Sequence, residues 1–159
     1  MDRFEYWVNH LKLVQHPGDE EGFFREEFRD TFIVKNNLGE CRNSATVAYF
    51  AQKTSPPFSP SSFLFRCKGA ELLYYHFGAP LTIKIFMNGV RQDPVNFTLG
   101  PQIDEGQTLF TAVPKDTWFT RIVESEDENN FTVYSCSLIP GFELADFEAR
   151  KYGDLMQEN

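Results

Sequence analysis

The stretch of this 159-residue sequence that decides the fold reads Leu81-Thr-Ile-Lys-Ile-Phe-Met-Asn88-Gly89. Apolar side chains occupy every second position of residues 81–87, and a second apolar run follows at residues 95–99. A period of two is typical of a strand that buries one face. Asn-Gly favours the tight turn of a hairpin, because both residues tolerate positive φ angles. The stretch therefore predicts a β-hairpin.

Short apolar runs of the same kind continue outward from this hairpin in both directions. They lie at residues 46–50, 63–65, 72–77, 108–113, 118–123 and 131–139, and Phe24 and Phe28 mark one more. Gly, Pro, Asn and Asp separate the runs, as expected of turns. Roughly nine strands with evenly spaced turns predict an all-β barrel or sandwich, because closure removes the sheet edges that so many strands would expose.

The apolar residues near the N-terminus follow a different period. They fall at Phe4, Trp7, Val8, Leu11 and Val14. This three-and-four spacing is typical of a helix with one buried stripe. We therefore predict a short N-terminal helix that ends before His16-Pro17-Gly18.

The length of the chain fits one domain. We predict a barrel at residues 21–148, preceded by the helix and its turn at residues 1–20, which pack on it, and followed by a C-terminal tail at residues 149–159. Residues 54–62 are rich in Pro and Ser, but the stretch is short. It predicts a surface loop over the mouth of the barrel and not a linker between domains.

Composition argues against several kinds of partner. The net charge is −8 and no basic stripe offsets it, so we predict no nucleic-acid polymer as a partner. No stretch approaches the ~20 apolar residues of a membrane helix, which predicts no membrane association. Cys41, Cys67 and Cys136 are odd in number and lack paired spacing, a pattern typical of free thiols in a reducing compartment. The predicted location is the cytoplasm.

Several motifs in the chain match one known family. Glu71, six further residues and Gly78 match the end of the first cupin motif, and Trp118 lies where the second motif is expected. The most specific match is Cys136-Ser-Leu-Ile-Pro-Gly-Phe-Glu-Leu-Ala-Asp-Phe-Glu148. From about Trp7 to Glu148 the chain resembles the cupin superfamily, and more closely its Cupin 5 subgroup, a domain of unknown function. The resemblance implies a double-stranded β-helix barrel, jelly-roll-like, that forms a homodimer.

The resemblance also identifies the positions at which other cupins bind a metal. Those cupins use two histidines at i and i+2, a carboxylate four residues later and a further histidine from the second motif. The corresponding residues here are Phe65, Cys67, Glu71 and Phe119. One carboxylate and one thiol do not supply the several deprotonated ligands that a divalent ion needs. We therefore predict neither a metal nor another cofactor.

The catalytic candidates are weaker than in relatives. The subgroup usually carries histidines at the positions of Phe65 and Tyr74, and both are replaced. Epimerase-like cupins need a histidine base beside a tyrosine acid. The residues left for such a role are Tyr74, His76 and Glu71, since strand alternation places His76 on the face of Tyr74. The alternative is that His76 is an ordinary strand histidine.

Six residues are candidates for holding a small ligand in the barrel mouth: Arg25, Phe65, Glu71, Tyr74, Phe110 and Trp118. An arginine can clamp a phosphate or carboxylate. Aromatic rings can stack on a base or a sugar. The carboxylate can accept hydrogen bonds from a ligand.

Each of these candidates has a structural alternative. Arg25 can instead form a salt bridge with Glu26, Glu27 or Glu71. The carboxylate of Glu71 can pair with Arg66 or Arg121. The aromatic residues can belong to the core, and Cys67 can be a small buried apolar residue.

Three functions follow, in order of preference. The first is a metal-free cupin that binds a small polar ligand, a nucleotide or a sugar nucleotide. The second is an isomerase or epimerase acting on a sugar nucleotide through Tyr74, His76 and Glu71. The third is a dimeric scaffold whose vestigial pocket is filled by phenylalanine side chains.

Overall fold

The structure, a computed structural model, describes residues 2–17 and 19–158, and of residues 19–21 it describes the backbone alone. The helices are α1 (Arg3–His10) and α2 (Tyr152–Gln157). The strands are β1 (Val14–His16), β2 (Asp19–Arg29), β3 (Ile33–Lys35), β4 (Cys41–Asn43), β5 (Thr46–Lys53), β6 (Phe63–Cys67), β7 (Ala70–Gly78), β8 (Leu81–Ile85), β9 (Val95–Leu99), β10 (Phe110–Val113), β11 (Phe119–Val123), β12 (Phe131–Ile139) and β13 (Phe147–Lys151).

Two antiparallel sheets face each other. Among the described residues, the larger sheet has the order β1-β2-β5-β12-β7-β10 and the smaller one the order β13-β6-β11-β8-β9. Strands β3 and β4 form a separate pair. The predicted all-β class, with its short N-terminal helix and the two-sheet arrangement of a jelly-roll-like barrel, is confirmed.

The core lies between the two sheets. Because side chains alternate along each strand, one face of every central strand points inward, where Leu73, Ile83, Phe119, Val123 and Tyr134 are almost fully buried. A second cluster lies on the outer face of the larger sheet, where α1 packs its apolar stripe. The two faces of this sheet therefore have different environments, which decides where the site residues lie.

The N-terminal helix is shorter than its apolar spacing predicts. Asp2 caps it by accepting a hydrogen bond from the backbone of Phe4. The helix ends at His10, and Lys12 then adopts a left-handed conformation with φ of 55°. The prediction that Val14 belongs to the helical stripe is wrong: this residue lies in β1 and is 60% exposed. A left-handed residue stops the helix, and no spacing of side chains reveals it.

The hairpin predicted from residues 81–89 is confirmed, with a longer connection. Strands β8 and β9 pair antiparallel, and Ile85 lies opposite Val95. Gly89 has φ of 90°, as an Asn-Gly turn requires, and its backbone N–H donates to the carbonyl of Phe86. The turn is thus one part of a loop over residues 86–94.

The predicted tail at residues 149–159 begins inside a strand. Strand β13 continues through Lys151 and pairs with β6 along its whole length. Helix α2 follows, and its Leu155 is buried against Leu64 and Phe86. The helices among residues 2–17 and 19–158 are all too short or too polar to cross a bilayer.

Candidate functional site

A small cavity lies between the two sheets. It has about 50 Å³ of free space. Both sheets contribute polar and aromatic side chains to its wall, which includes His16, Phe50, Phe65, Cys67, Glu71, Phe119, Arg121 and Cys136. The space is sufficient for a few water molecules or one compact chemical group.

The four positions at which related barrels bind a metal meet in this cavity. Phe65, Cys67, Glu71 and Phe119 all line its wall. Phenyl rings have no lone pair to donate, and in the described part of the chain no group of three His, Cys, Asp or Glu side chains is arranged to hold a metal ion. The side chains at these positions therefore do not fit a divalent ion.

Glu71 is the buried carboxyl group of the cavity. The thiol of Cys136 donates to its Oε1 at 2.8 Å, and the Sγ atom of Cys67 lies 3.9 Å from its Oε2. Burial raises the pKa of Glu71, while the nearby charge of Arg121 opposes this shift. Burial also raises the pKa of both thiols. Burial thus shifts the titration of the carboxyl and of both thiols to higher pH, and the thiols act as weak donors and not as nucleophiles.

Arg121 places a cation in the same cavity. Its side chain is buried, and Nη1 donates to the hydroxyl of Tyr134 at 2.7 Å. The centre of its guanidinium group lies 4.8 Å from the ring centroid of Phe65 and 5.3 Å from that of Phe50. Guanidinium tolerates such surroundings because it is weakly hydrated and stacks on aromatic faces. A positive charge enclosed by rings acts strongly on any anion that reaches it.

His16 is a cavity residue that the sequence analysis did not select. It is 7% exposed, and its ring centroid lies 4.7 Å from that of Phe24 and 5.6 Å from that of Phe147. The only signal for it was the His16-Pro17 pair at the predicted end of the helix, which does not show where the imidazole ring points. Its strand, β1, brings it to the cavity at the edge of the larger sheet.

A larger cleft adjoins the cavity and opens beneath the loop at residues 54–62. Its volume is about 530 Å³. Phe65 and Arg121 belong to the walls of both spaces. The loop is fastened to helix α2, since the backbone N–H groups of Tyr152 and Gly153 donate to carbonyls of Ser62 and Pro60. The sequence prediction of a loop in this place is therefore confirmed, and the loop roofs the cleft.

Three of the six predicted ligand-binding residues lie on the other side of the larger sheet. Arg25, Tyr49, Ser135, Tyr74 and Phe110 form one row of directly paired residues across β2, β5, β12, β7 and β10. Their sequence neighbours, such as Phe24 and Phe50, point inward. Arg25, Tyr74 and Phe110 therefore face outward, and the structure does not bring them to Phe65 and Glu71.

The outward residues have partners of their own. Arg25 forms an ion pair with Glu27 at 3.0 Å and donates to the backbone carbonyl of Leu11. The rings of Tyr74 and Phe110 pack against each other with centroids 5.2 Å apart. The salt bridge that was the alternative for Arg25 is present, with Glu27 as its partner.

His76 also lies on the outer face. Its Nε2 is 2.8 Å from the hydroxyl oxygen of Ser135, and burial lowers the pKa of the imidazole. Tyr74 shares this face, as predicted, although a bulge in β7 intervenes. Glu71 points to the cavity instead. The three residues considered for isomerase chemistry are thus divided between the two faces of one sheet.

Trp118 lies in a third environment. It packs in a cluster with Leu64, Phe86 and Leu155, apart from the core between the sheets. The guanidinium of Arg66 stacks on its ring at 4.6 Å and bonds to Glu148 at 2.9 Å. Arg66 is therefore engaged elsewhere, and of the two arginines considered for Glu71 the one near it is Arg121.

Glu71→Gln is expected to stabilise the protein increasingly as the pH rises. Because burial raises the pKa of Glu71, its favourable contribution is fully present below the unfolded-state pKa and is lost as the pH rises through the folded-state pKa. Glutamine stays neutral and keeps an acceptor for the thiol of Cys136. Melting temperatures of wild type and variant, measured between about pH 5 and pH 9, should diverge.

Glu148→Gln is the matched control, because that carboxyl group is exposed and bonded to Arg66. A melting-temperature difference between wild type and Glu71→Gln that stays constant over the whole pH range would contradict the raised pKa of Glu71.

The chain is similar to proteins of one known family and to several solved structures. Residues 5–150 match the family described as Cupin superfamily (DUF985). A hypothetical protein from Leishmania major has 28% identity and a TM-score of 0.78, over 91% of this chain and 85% of that one. A Shewanella oneidensis protein has 24% identity and a TM-score of 0.74, over 93% and 84%.

A Streptomyces protein whose structure includes uridine is more distant. It has 13% identity and a TM-score of 0.52, over 87% of this chain and 83% of that one, and the likeness concerns the fold alone. No curated protein sequence matches the chain.

Proposed function

The chain belongs to the cupin superfamily, in the family described as DUF985, and from this premise we propose that it binds a nucleotide or sugar nucleotide between its two sheets. The negatively charged phosphate faces Arg121, and the remainder of the molecule lies in the cleft beneath residues 54–62. The proposal is one of binding without turnover.

The observation that carries this proposal is the position of Arg121. It lies in the wall shared by the 50 Å³ cavity and the 530 Å³ cleft. A compact phosphate matches the smaller space, and the larger one falls in the usual range of about 300–1,000 Å³ for small-molecule sites. The planar guanidinium is the group best suited to a phosphate.

The raised pKa of Glu71 supports an anionic ligand. An ionised carboxylate in the cavity would repel a phosphate, but burial raises the pKa of Glu71 and favours the neutral form. Local charge matters here because the chain as a whole carries −8. An anion can therefore bind in this cavity although the protein as a whole is acidic.

The isomerase alternative has no comparable support. Tyr74 and His76 lie on the outer face of the larger sheet and Glu71 on the inner face. Strand geometry does not allow them to act on one substrate. The absence of a metal or other cofactor, a homodimer and a cytoplasmic location stay predictions.

Wild-type protein is expected to be stabilised by UDP-glucose and UMP. A ligand at about 100 times its dissociation constant adds about 2.7 kcal/mol to the free energy of unfolding. Thermal unfolding in the presence of each compound measures this shift, and calorimetric titration gives the affinity. Uridine and glucose, which lack phosphate, are the matched controls. If the phosphorylated compounds give no larger shift than these two, the proposal fails.

A further inference from the structure

Gln52 is a buried polar residue in the wall of the cleft. It lies on β5, in line with Phe50, so its side chain points between the sheets. It is 2% exposed and lines the cleft together with Arg121 and the loop at residues 54–62. A buried carboxamide in such a place needs partners for both its nitrogen and its oxygen.

The orientation of this carboxamide is fixed by its neighbours. One of its two polar atoms lies 3.1 Å from the backbone carbonyl oxygen of Arg121. Because a carbonyl only accepts, that atom is the nitrogen Nε2. The same nitrogen donates to the hydroxyl of Ser55 at 2.9 Å. The oxygen Oε1 therefore lies on the opposite side of the group.

Ser55 is itself held rigidly. Its backbone N–H donates to the carbonyl of Val123 at 2.9 Å, and the N–H of Val123 donates to its hydroxyl at 3.2 Å. These bonds join the start of the loop to β11. Gln52 is thus fastened at its nitrogen by two partners that belong to the scaffold of the barrel.

The oxygen of Gln52 is the exception in this arrangement. Among the described atoms, no group donates a hydrogen bond to Oε1. Buried acceptors of this kind are rare, and each one calls for an explanation. A donor on a bound molecule supplies one, since the atom belongs to a side chain in the wall of the cleft.

The chemistry of Oε1 selects the kind of group that binds it. A neutral carbonyl oxygen accepts hydrogen bonds, so a phosphate oxygen does not satisfy it, whereas a hydroxyl group does. The rest of the wall combines apolar surface from Pro56, Pro57 and Phe63 with the serines of the loop. A hydroxylated ring with apolar faces matches this mixture.

We propose that Gln52 accepts a hydrogen bond from a sugar hydroxyl, so that the cleft selects phosphorylated sugars over other phosphates. This inference rests on the proposed function, because it assumes that Arg121 holds the phosphate. Arg121 supplies affinity for the anion, and Gln52 distinguishes the group attached to it.

Glucose 1-phosphate and cyclohexyl phosphate test this division, since they share a ring and a phosphate but only the first carries ring hydroxyls. Wild-type protein is expected to bind glucose 1-phosphate about tenfold more tightly. In Gln52→Met that preference should disappear, while the affinity for cyclohexyl phosphate stays within about twofold. Calorimetric titration measures all four affinities. The control is Ser55→Ala, which removes one partner of Nε2 but leaves Oε1, and should keep the preference.

The outcomes separate the two proposals. If neither phosphate binds wild-type protein, this inference fails, and the thermal shifts with UDP-glucose and UMP decide the proposed function separately. If both bind wild type equally, or if Gln52→Met weakens both alike, the proposed function stands and the role of Gln52 is overturned. Should the variant fail to fold, equal affinities of the two compounds for wild type would still overturn the role of Gln52.

Discussion

Arg121→Met is expected to weaken the binding of UDP-glucose by about one to two orders of magnitude. A hydrogen bond to a charged group contributes about 1.5–3 kcal/mol, and about 1.4 kcal/mol corresponds to a tenfold change in the dissociation constant. Methionine fills much of the same space but offers neither charge nor donors. Calorimetric titration of wild type and variant with UDP-glucose measures the difference.

The same substitution also removes the hydrogen bond from Nη1 to the hydroxyl of Tyr134. A loss of stability of about 1–3 kcal/mol is therefore expected in the absence of ligand. Arg121→Lys serves as the second variant, because it keeps the charge but lacks the planar fork. Its affinity for UDP-glucose should lie between those of wild type and Arg121→Met.

Arg66→Met is the matched control for both variants. Arg66 lies on the neighbouring strand β6, but it stacks on Trp118 and bonds to Glu148 away from the cavity. Its loss should leave binding of UDP-glucose unchanged. A folded Arg121→Met protein that binds UDP-glucose as tightly as wild type would place the ligand somewhere other than the space between the sheets.

Gly78→Ala is expected to destabilise the fold by about 2–5 kcal/mol. Gly78 ends β7 with φ of 99°, a conformation that costs an alanine about 1–2 kcal/mol. An added Cβ would also lie 2.0 Å from the backbone carbonyl oxygen of Phe131. That oxygen accepts a hydrogen bond from Ala79 and has little freedom to move away. Overpacking of this kind typically costs a further ~1–3 kcal/mol.

Gly89→Ala separates the cost of the backbone conformation from the cost of the contact with Phe131. Gly89 has a similar φ of 90°, but nothing lies within 4 Å of the position that its Cβ would take. Its replacement should therefore cost only the ~1–2 kcal/mol of free energy of unfolding that the backbone conformation accounts for. Urea unfolding of both variants and wild type measures the free energies. Equal losses in the two variants would mean that the contact with Phe131 is not tight.

The fold was predictable because its signals are local. Alternation within runs such as residues 81–87, and turn residues between the runs, determine which segments become strands. The pairing of distant strands, for example β5 with β12, leaves no trace of that kind, and the resemblance to a known barrel supplied it. The helix end at His10 was missed because it depends on the backbone angle of one residue, Lys12.

The candidate site was predictable only in part. Phe65 and Glu71 were found because a family motif marks the positions that converge in the barrel. Tyr74 was placed beside Glu71 although the two are three residues apart on one strand, and an odd separation puts them on opposite faces. The same rule would have placed Arg121 in the cavity, because it lies two residues after Phe119 and shares its inward face.

Other parts of the site have no local signal. The contact of His16 with Phe147 joins the strands β1 and β13, which lie far apart in the sequence. The unsatisfied oxygen of Gln52 is recognised only once the partners of its nitrogen are known. Such features depend on tertiary packing. A sequence pattern indicates which face a side chain takes, but not what it meets there.

The fastening of residues 54–62 to helix α2 has a consequence for how the protein matures. Two carbonyls of that loop are held by backbone N–H groups about ninety residues later in the chain. Synthesis proceeds from the N-terminus, so most of the strands emerge from the ribosome before the segment that secures the roof. Helix α2 follows β13 directly. A nascent chain therefore cannot secure the roof of the cleft before the last strand of the smaller sheet has been made.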